Sequence, residues 1–342
     1  MRLAAIASAL AIVLCVAVFG AIFLQKASIP APASSPATAQ TTPTEGRAPG
    51  SVVTVADNAA DSTMAAPVAV AQAAPAPAAQ AAPLPSAAST SCSNPNALGI
   101  ARVVEIDTTG GPGFGFEHFK SHDFLREGEV VLTFDDGPWP KNTPAVLAAL
   151  AAHCTKAIFF PIGTHATYEP GILKQVAAAG HAVGSVQAVE YDPKDEIEKG
   201  ISAVRWAVGA PTAPYFRFPA LRQPQELVDY LGKRNIAIFS TDMDSFDFKM
   251  RKPEQVRQAV LAKLKKHGKG IVLMHDFQHA TAEAAMDLLN DLKAGGYKVV
   301  YMKPKFPVTT IASYDEQILK LVKGPGGGDA RPTSSVVRTI AE

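Results

Sequence analysis

Between residues 129 and 303, short apolar segments alternate with segments whose apolar residues recur at helical spacing. The apolar segments have the length and composition of buried strands: VVLTFDD (130–136), AIFFPIG (157–163), AVGSV (182–186), YFRFP (215–219), IAIFSTDMD (236–244), IVLMHD (271–276) and KVVYM (298–302). The helical stripes lie at Ile197, Ile201, Val204 and Val208, at Val256, Val260 and Leu264, and at Ala285, Leu288, Leu289 and Leu292. Such repeats predict an α/β fold with about seven parallel strands, as an open doubly wound sheet or a small incomplete barrel.

The flanking regions have other patterns. Residues Ala4–Leu24 carry no charge and are long enough to cross a bilayer, which predicts a transmembrane signal-anchor or a signal peptide over 1–25. The chain then divides into an Ala/Pro-rich disordered tether (26–91), a lead-in segment (92–128), the folded domain (129–303) and a C-terminal extension with a flexible tail (304–342). The predicted location is outside the cytoplasm, with the chain membrane-anchored, periplasmic or secreted.

Charge and cysteine content narrow the partners. The formal net charge of the 342 residues is +1, which gives no indication of nucleic acid as a partner. Cys92 and Cys154 lie on the exported side, so they are candidates for a disulfide between the lead-in and the domain. The alternative is two unrelated buried thiols, because spacing alone does not supply geometry.

Polar residues stand where the predicted strands end. Because the carboxyl ends of parallel strands share one rim, these residues are expected to meet there and form an active site. They are Asp135 and Asp136, Arg217, Asp242, Asp244 and Asp247, and His275 with Asp276.

Two adjacent carboxylates at such a rim repel unless a cation or a proton is shared. One can hold a divalent metal, while the other takes a proton from metal-bound water. Arg217 would keep that base ionised, His275 would protonate a leaving group, and an aspartate of the fifth strand would orient the imidazole. This set predicts hydrolysis of an acyl bond by activated water.

Four short motifs in this order resemble those of the NodB-type polysaccharide deacetylases, carbohydrate esterase family 4. They are TFDDG (133–137), RFP (217–219), DSFDF (244–248) and LMH (273–275), and the resemblance covers about 129–303. It implies a distorted, incomplete (β/α) barrel that removes acetyl groups from chitin-like or peptidoglycan-type chains with a divalent metal, zinc. The implied partner is an N-acetylated polysaccharide or oligosaccharide.

The same resemblance implies a role for each matching residue. Asp135 would be the general base, Asp136 a metal ligand, Arg217 the partner of the base, His275 the general acid and Asp244 the residue that tunes it. The candidate substrate-binding residues are Trp139, Pro219, Phe248 and Leu273. Phe248 stands where the family usually has tryptophan, and it retains an aromatic surface.

One motif departs from the family pattern. The segment GHAVGSVQAVEYD (180–192) has Val186 and Glu190 where the family has its two metal-binding histidines. A valine cannot ligate a metal, which leaves Asp136, with Glu190 as a second candidate ligand.

Three interpretations follow. The chain is a relative that has lost metal-dependent activity and binds glycans, with no metal. Alternatively, it is a deacetylase whose rearranged site uses Asp135, Asp136 and Glu190, with His181 or His165, to hold Mg²⁺, Ca²⁺ or Mn²⁺. The third, a receiver-like domain phosphorylated on aspartate, is disfavoured by the predicted export and by the presence of both Arg217 and His275.

Overall fold

The protein is described from a computed structural model, which covers Cys92, residues 94–186 and residues 193–323. The predicted membrane segment (1–25), the tether up to residue 91 and the tail from residue 324 lie outside these ranges. Within them, none of the helices combines the length and apolar character needed to span a membrane.

The described residues form short strands alternating with helices. The strands are β1 (Arg102–Ile106), β2 (Gly113–Phe114), β3 (Glu129–Asp135), β4 (Ile158–Phe160), β5 (Ala182–Val183), β6 (Ser185–Val186), β7 (Tyr215–Arg217), β8 (Ala237–Phe239), β9 (Met243–Asp244), β10 (Gly270–His275) and β11 (Lys298–Pro304). The α-helices are α1 (Asn142–Ala152), α2 (Gly163–Tyr168), α3 (Pro170–Ala178), α4 (Pro193–Val208), α5 (Gln225–Lys233), α6 (Pro253–His267), α7 (His279–Ala294) and α8 (Ala312–Lys323). Two 3-10 turns, Pro219–Leu221 and Asp247–Lys249, follow β7 and β9.

The strands pair in parallel, as the alternating pattern predicted. One sheet has the order β1-β11-β3-β10-β9, with β4 beside the end of β3 and β5 beside β4. The second has the order β2-β8-β7-β6. A parallel bridge between Ile162, just past β4, and Val186 in β6 connects the two. The result is an incomplete (β/α) barrel whose strands end at a common rim.

Strand β3 shows how the sequence points its side chains to two environments. Leu132 and Phe134 pack with helix residues such as Leu150 and Leu288 in the outer core. Val131 packs in the inner core, and alternation along a strand places Thr133 and Asp135 on the same face. The inner face of the barrel therefore receives the carboxylate that ends this strand.

The structure differs from the predicted strands in three places. The single segment predicted at 182–186 forms two strands, β5 and β6, which belong to different sheets. The single segment predicted at 236–244 forms two strands, β8 and β9, which belong to different sheets. Asp242 lies between them, and its carboxylate accepts the N–H groups of Phe116 and Ile271, at 2.6 Å each. The lead-in contributes β1, which pairs with β11, and β2, which pairs with β8, although neither was predicted.

The disulfide prediction is confirmed. Cys92 and Cys154 are bonded, with their Cα atoms 5.8 Å apart. The side-chain amide of Asn94 also donates to the carbonyl of Ala152 at 2.8 Å. These contacts fasten the lead-in to the end of α1.

Candidate active site

Asp135 and Arg217 form a buried ion pair at the ends of β3 and β7. Nη1 of Arg217 lies 2.6 Å from Oδ1 of Asp135 and 2.8 Å from Oγ1 of Thr133. The other guanidinium nitrogens donate to the carbonyls of Phe239 (3.2 Å) and Ser240 (2.9 Å). Because the guanidinium is bonded on every side, it has a fixed position from which to orient the carboxylate.

The environment of Asp135 sets its protonation. Burial raises the pKa of this carboxyl, while the charges of Arg217 and His275 lower it, and the balance is a pKa of about 6. The neighbouring charge of Asp136 adds to the rise. At neutral pH the group is therefore ionised and able to accept a proton.

Asp136 leaves the strand in a different direction from Asp135. It adopts a left-handed φ of 68°, uncommon for a residue other than glycine, and its N–H donates to the carbonyl of Phe160 at 3.0 Å. Its own carbonyl lies 2.7 Å from Nδ1 of His165. Burial raises the pKa of the Asp136 carboxyl, and the charges of His275 and His165 partly offset this. The turn thus separates the two neighbouring carboxylates.

His275, at the end of β10, is held by Asp247. Nδ1 of the imidazole lies 2.7 Å from Oδ1 of Asp247, and the backbone N–H of His275 donates to Oδ2 at 2.7 Å. Burial alone would lower the pKa of His275, but the bond to Asp247 and the charges of Asp247, Asp135 and Asp136 raise it to about 9. Nε2 remains directed toward Asp136, 3.9 Å from its Oδ2.

The prediction that Asp244 tunes His275 is wrong. Oδ1 of Asp244 accepts the N–H of Phe246 at 2.8 Å and so closes a local turn. That turn and the following 3-10 segment carry Asp247 to His275, where Thr281 also donates to Oδ2 at 2.5 Å. The motif DSFDF contains two aspartates three residues apart, and only the turn geometry decides between them.

These groups open onto one cavity of about 690 Å³. Its wall includes Asp135, Asp136 and His275, together with three of the four predicted substrate-binding residues, Pro219, Phe248 and Leu273. The fourth, Trp139, is exposed and is not part of this wall. Its ring lies edge-on to His165 and Phe277, with centroids 5.5 and 6.3 Å away. Trp139 thus stands on the rim beside the cavity.

The cavity wall also contains a strained turn after β7. Ala220 and Leu221 both have left-handed φ angles, 49° and 56°. The N–H groups of Leu221 and Arg222 donate to nearby carbonyls at 3.0 and 3.1 Å, whereas that of Ala220 has no backbone acceptor in the described part of the chain. An unpaired N–H on the wall can stabilise negative charge developing on a ligand.

Among the described residues, the donor set on this rim does not fit a zinc site. Val186 is buried and lines the cavity where the family pattern has histidine. No cluster of three potential ligand side chains occurs within residues 94–186 and 193–323. Glu190 lies outside the described residues. Within the described residues, Asp136 therefore has no set of neighbouring ligands that could complete a metal shell.

The two histidines considered for a rearranged site have other contacts. His181 is buried, its Nδ1 accepts the N–H of Ala157 at 3.2 Å, and burial lowers its pKa to about 3. Its ring packs against Phe159, 5.2 Å between centroids, so it is a core residue. His165 is near the rim, but its Nδ1 is engaged by the carbonyl of Asp136.

Asp276 is a buried carboxyl that the sequence placed at the rim without a role. Its Oδ2 accepts the hydroxyl of Thr143 at 2.5 Å. Burial raises its pKa to about 7, although the bond from Thr143 opposes this. A side chain at Gly137 would collide with this carboxyl, which explains why the TFDDG turn has glycine there. Asp276 supports the turn that carries Asp136.

Comparison with known proteins agrees with this geometry. A model described as polysaccharide deacetylase matches residues 124–238. A chitooligosaccharide deacetylase of Bradyrhizobium is 30% identical over 155 residues, which cover 43% of this chain and 70% of the relative. The chain belongs to the polysaccharide deacetylase family.

Two further relatives match longer parts of the chain. A peptidoglycan-N-acetylglucosamine deacetylase of Listeria monocytogenes is 32% identical over 181 residues, half of this chain but only 37% of the relative. The solved structure of a Bdellovibrio bacteriovorus peptidoglycan deacetylase superposes with a TM-score of 0.56 at 33% identity, covering 60% of this chain and 59% of that one. The family fold is therefore shared, while large parts of these relatives have no counterpart in the match.

Proposed function

We propose that the folded domain hydrolyses acetyl groups from an N-acetylated glycan of the chito-oligosaccharide or peptidoglycan type. The observation that carries this proposal is the meeting of two pairs, Asp135 with Arg217 and His275 with Asp247, at one cavity. An ionised carboxylate and an oriented imidazole are what general base and general acid catalysis require. The activities of the named deacetylase relatives support the choice of substrate.

In this proposal, protons move through these groups in the following order. Asp135 takes a proton from water as the water oxygen bonds to the acetyl carbonyl carbon. Ala220 lines the same cavity, and its N–H, which has no backbone acceptor among the described residues, would stabilise the negative charge that develops on the carbonyl oxygen. His275 then gives its Nε2 proton to the leaving nitrogen as the C–N bond breaks, leaving acetate and a free amine. Nε2 is the available nitrogen because Asp247 holds Nδ1.

The family resemblance implies zinc, and a bound metal would supply Lewis-acid activation of water. Because the described rim holds no cluster of three ligand side chains and Val186 offers no donor atom, no step above depends on a metal.

Val186 favours a second candidate function, glycan binding without turnover. The cavity, its aromatic wall residue Phe248 and the rim residue Trp139 are present whether or not a metal binds. A groove with these surfaces can bind a sugar chain even if the acyl bond is never cleaved.

Acetate release separates the two candidates. The full chain is incubated with an N-acetylglucosamine oligomer as purified, after chelation and after addition of zinc, and released acetate and free amine are measured. The hydrolase predicts both products in at least one condition and their loss in Asp135→Asn. Binding of the oligomer with no acetate in any condition would select the glycan-binding function, and neither binding nor release would refute both.

We further propose that the domain acts outside the cytoplasm, tethered through the segment at 1–25. Support comes from that apolar sequence and from the disulfide between Cys92 and Cys154, since disulfides persist in oxidising compartments. Protease digestion of intact spheroplasts should cleave the domain. Protection equal to that of a cytoplasmic marker would refute this location.

A further inference from the structure

A buried polar pair lies beneath the part of the rim on which Trp139 stands. Thr143 and Asp276 are 0% and 1% exposed, and Oγ1 of Thr143 donates to Oδ2 of Asp276 at 2.5 Å. Oδ1 of Asp276 has no hydrogen-bond partner within the described residues. The crevice around the pair is otherwise lined mainly by apolar residues such as Pro138 and Phe159. Because a buried polar group is costly to leave unbonded, this hydrogen bond fixes the position of both side chains.

The hydroxyl of Thr143 also fastens the backbone of Trp139. Its oxygen accepts the N–H of Trp139 at 2.8 Å, and the N–H of Thr143 donates to the carbonyl of Trp139 at 3.1 Å. Thr143 belongs to the first turn of α1, which packs in the outer core through Val146 and Leu150. The indole is 44% exposed, but it extends from a backbone that is held at both of its polar groups.

The other member of the pair belongs to the segment that carries the proposed general acid. Asp276 directly follows His275 at the end of β10, and the carbonyl of the next residue, Phe277, accepts the side-chain amide of Asn142 at 2.7 Å. The start of α1 is therefore bonded twice to the segment 276–277. These bonds join residues 133 and 135 positions apart in the chain, so they fix the placement of Trp139 relative to His275.

Aromatic contacts close a circuit above the pair. The ring of Phe277 lies edge-on to Trp139 and to His275, with centroids 6.3 and 5.8 Å away. Trp139 also lies edge-on to His165, at 5.5 Å, and Nδ1 of His165 is 2.7 Å from the carbonyl of Asp136. Nε2 of His275 faces the carboxylate of Asp136 at 3.9 Å. Since edge-to-face contacts depend on ring orientation, a shift of the indole would disturb the surroundings of His275.

We propose that Thr143 and Asp276 are positioning residues that hold Trp139 as a fixed sugar-binding surface in register with the imidazole of His275. Both are buried, so neither touches the glycan. They act through the backbone of Trp139 on one side and through the segment 275–277 on the other. This inference rests on the proposed function, because it requires one glycan to meet Trp139 and His275 together. The same buried hydrogen bond then sets both the affinity for the glycan and the alignment of the proton donor.

The tryptophan content of the chain makes Trp139 observable. The chain has two tryptophans, and Trp206 is half-buried against the outer core, so Trp206→Phe leaves Trp139 as the single indole. In the full chain in uncharged detergent, the decay of fluorescence anisotropy reports the mobility of this indole. Titration with an N-acetylglucosamine tetramer reports the affinity. The imidazole carbon–proton resonance of His275, identified by its absence in His275→Gln, reports the surroundings of the proton donor without requiring turnover.

The first variant, Thr143→Val, removes the hydroxyl and keeps the shape of the side chain. We expect faster motion of the Trp139 indole, binding of the tetramer weakened about five- to tenfold, and a shifted His275 resonance. The reason is that the hydrogen bonds of the hydroxyl to Trp139 and Asp276 are both lost. Thr143→Ser retains the hydroxyl and should restore all three properties.

Val146→Ala is the matched control for a merely structural effect. Val146 is fully buried on the same helix, so its truncation destabilises the protein by leaving a cavity, but its side chain has no polar atom to bond the rim. Indole mobility, affinity and the His275 resonance should not change in this variant. Asp276→Ala should reproduce the effects of Thr143→Val, and combining the two should add little, since both remove the same hydrogen bond. Circular dichroism checks folding, and the Thr143 variants alone decide if Asp276→Ala does not fold.

The outcomes separate this inference from the activity test. The positioning role is overturned, and the proposed function stands, if Thr143→Val leaves the affinity or the His275 resonance unchanged, if Thr143→Ser does not restore them, or if Val146→Ala changes them equally. The expected changes without acetate release in any condition support the positioning role and contradict hydrolysis. If acetate is released, Thr143→Val should raise KM and lower kcat together, which Val146→Ala should not do. Failure of the wild type to bind the tetramer contradicts both.

Discussion

The two sides of the cavity are built on different principles. On the side of β3, β7 and β10, two charged pairs form, Asp135 with Arg217 and His275 with Asp247, and the carboxylate of Asp136 lies 3.9 Å from Nε2 of His275. On the side of β6, the corresponding position is Val186, an apolar residue whose neighbours are core residues. One side is polar and built from charged pairs, whereas Val186, the residue of β6 on the cavity wall, offers no donor atom.

The difference shows which parts of a site the fold itself requires. Arg217 is buried with four hydrogen-bond acceptors, so its removal would strand polar groups in the barrel. A metal-binding side chain on β6 is not needed for folding in this way, because a valine at that position packs in the inner core. The acid–base side can therefore persist for folding reasons alone, and its presence does not by itself demonstrate turnover.

The largest expected effect is on chemistry. Asp135→Asn keeps an acceptor for Arg217 but removes the base, so kcat for acetate release should fall by about 10²–10⁴. The matched control is Asp244→Asn, which changes a carboxylate on the same wall whose Oδ1 closes the turn at Phe246, while Asp247 is the aspartate bonded to His275. Steady-state kinetics on an N-acetylated oligosaccharide measures both. Equal turnover by wild type and Asp135→Asn would remove Asp135 from the mechanism.

The next effect is on stability. Arg217→Met leaves Asp135 buried without its partner, which should lower the free energy of unfolding by about 3–5 kcal/mol at neutral pH. Urea denaturation measures this, and a second change, Asp135→Leu, should restore part of the loss. The deficit should shrink in mild acid, where Asp135 is protonated. A loss of unfolding free energy below about 1 kcal/mol would show that the ion pair between Asp135 and Arg217 contributes little to stability.

A third effect concerns the pH dependence of stability. The pKa of His275 is raised in the folded state to about 9, so its contribution is fully present below the unfolded value of about 6.5 and is lost as the pH rises through 9. We expect the wild-type unfolding free energy to fall by about 2–3 kcal/mol over that window. In Asp247→Asn the fall should be largely absent, whereas Asp244→Asn should retain it. If the unfolding free energy of the wild type did not change over this pH window, the raised pKa of His275 beside Asp247 would be contradicted.

Much of the polar side could be predicted because it follows from strand ends. Apolar runs locate β3, β7 and β10, and their last residues, Asp135, Arg217 and His275, meet as parallel pairing requires. The prediction that Asp244, rather than Asp247, tunes His275 is wrong. Which aspartate reaches the imidazole depends on a turn with a left-handed Phe246, and no sequence periodicity indicates that turn.

Other features were hidden for physical reasons. Strand β2 has two residues, and β1 has alternating exposed and half-buried positions, so neither forms an apolar run. Their pairing partners lie far along the chain, in β8 and β11. The division of segment 236–244 into β8 and β9 could not be predicted either. It depends on the carboxylate of Asp242, which lies between the two strands and accepts backbone N–H groups that are distant in sequence.

The smallest effect tests the apolar side directly. Val186→His places an imidazole at a buried position, which should cost about 1–3 kcal/mol of stability without metal. If the rim can be completed from Asp136 and the inserted imidazole, zinc should then raise the melting temperature of this variant, because a ligand that binds only the folded state stabilises it. The wild type should show no such shift.

Val183→His is the matched control: Val183 is equally buried but packs in the outer core, away from Asp136, so zinc should not rescue it. A zinc-dependent shift in the wild type would mean that the residues beyond Val186 already supply ligands, and the contrast between the two sides of the cavity would no longer hold.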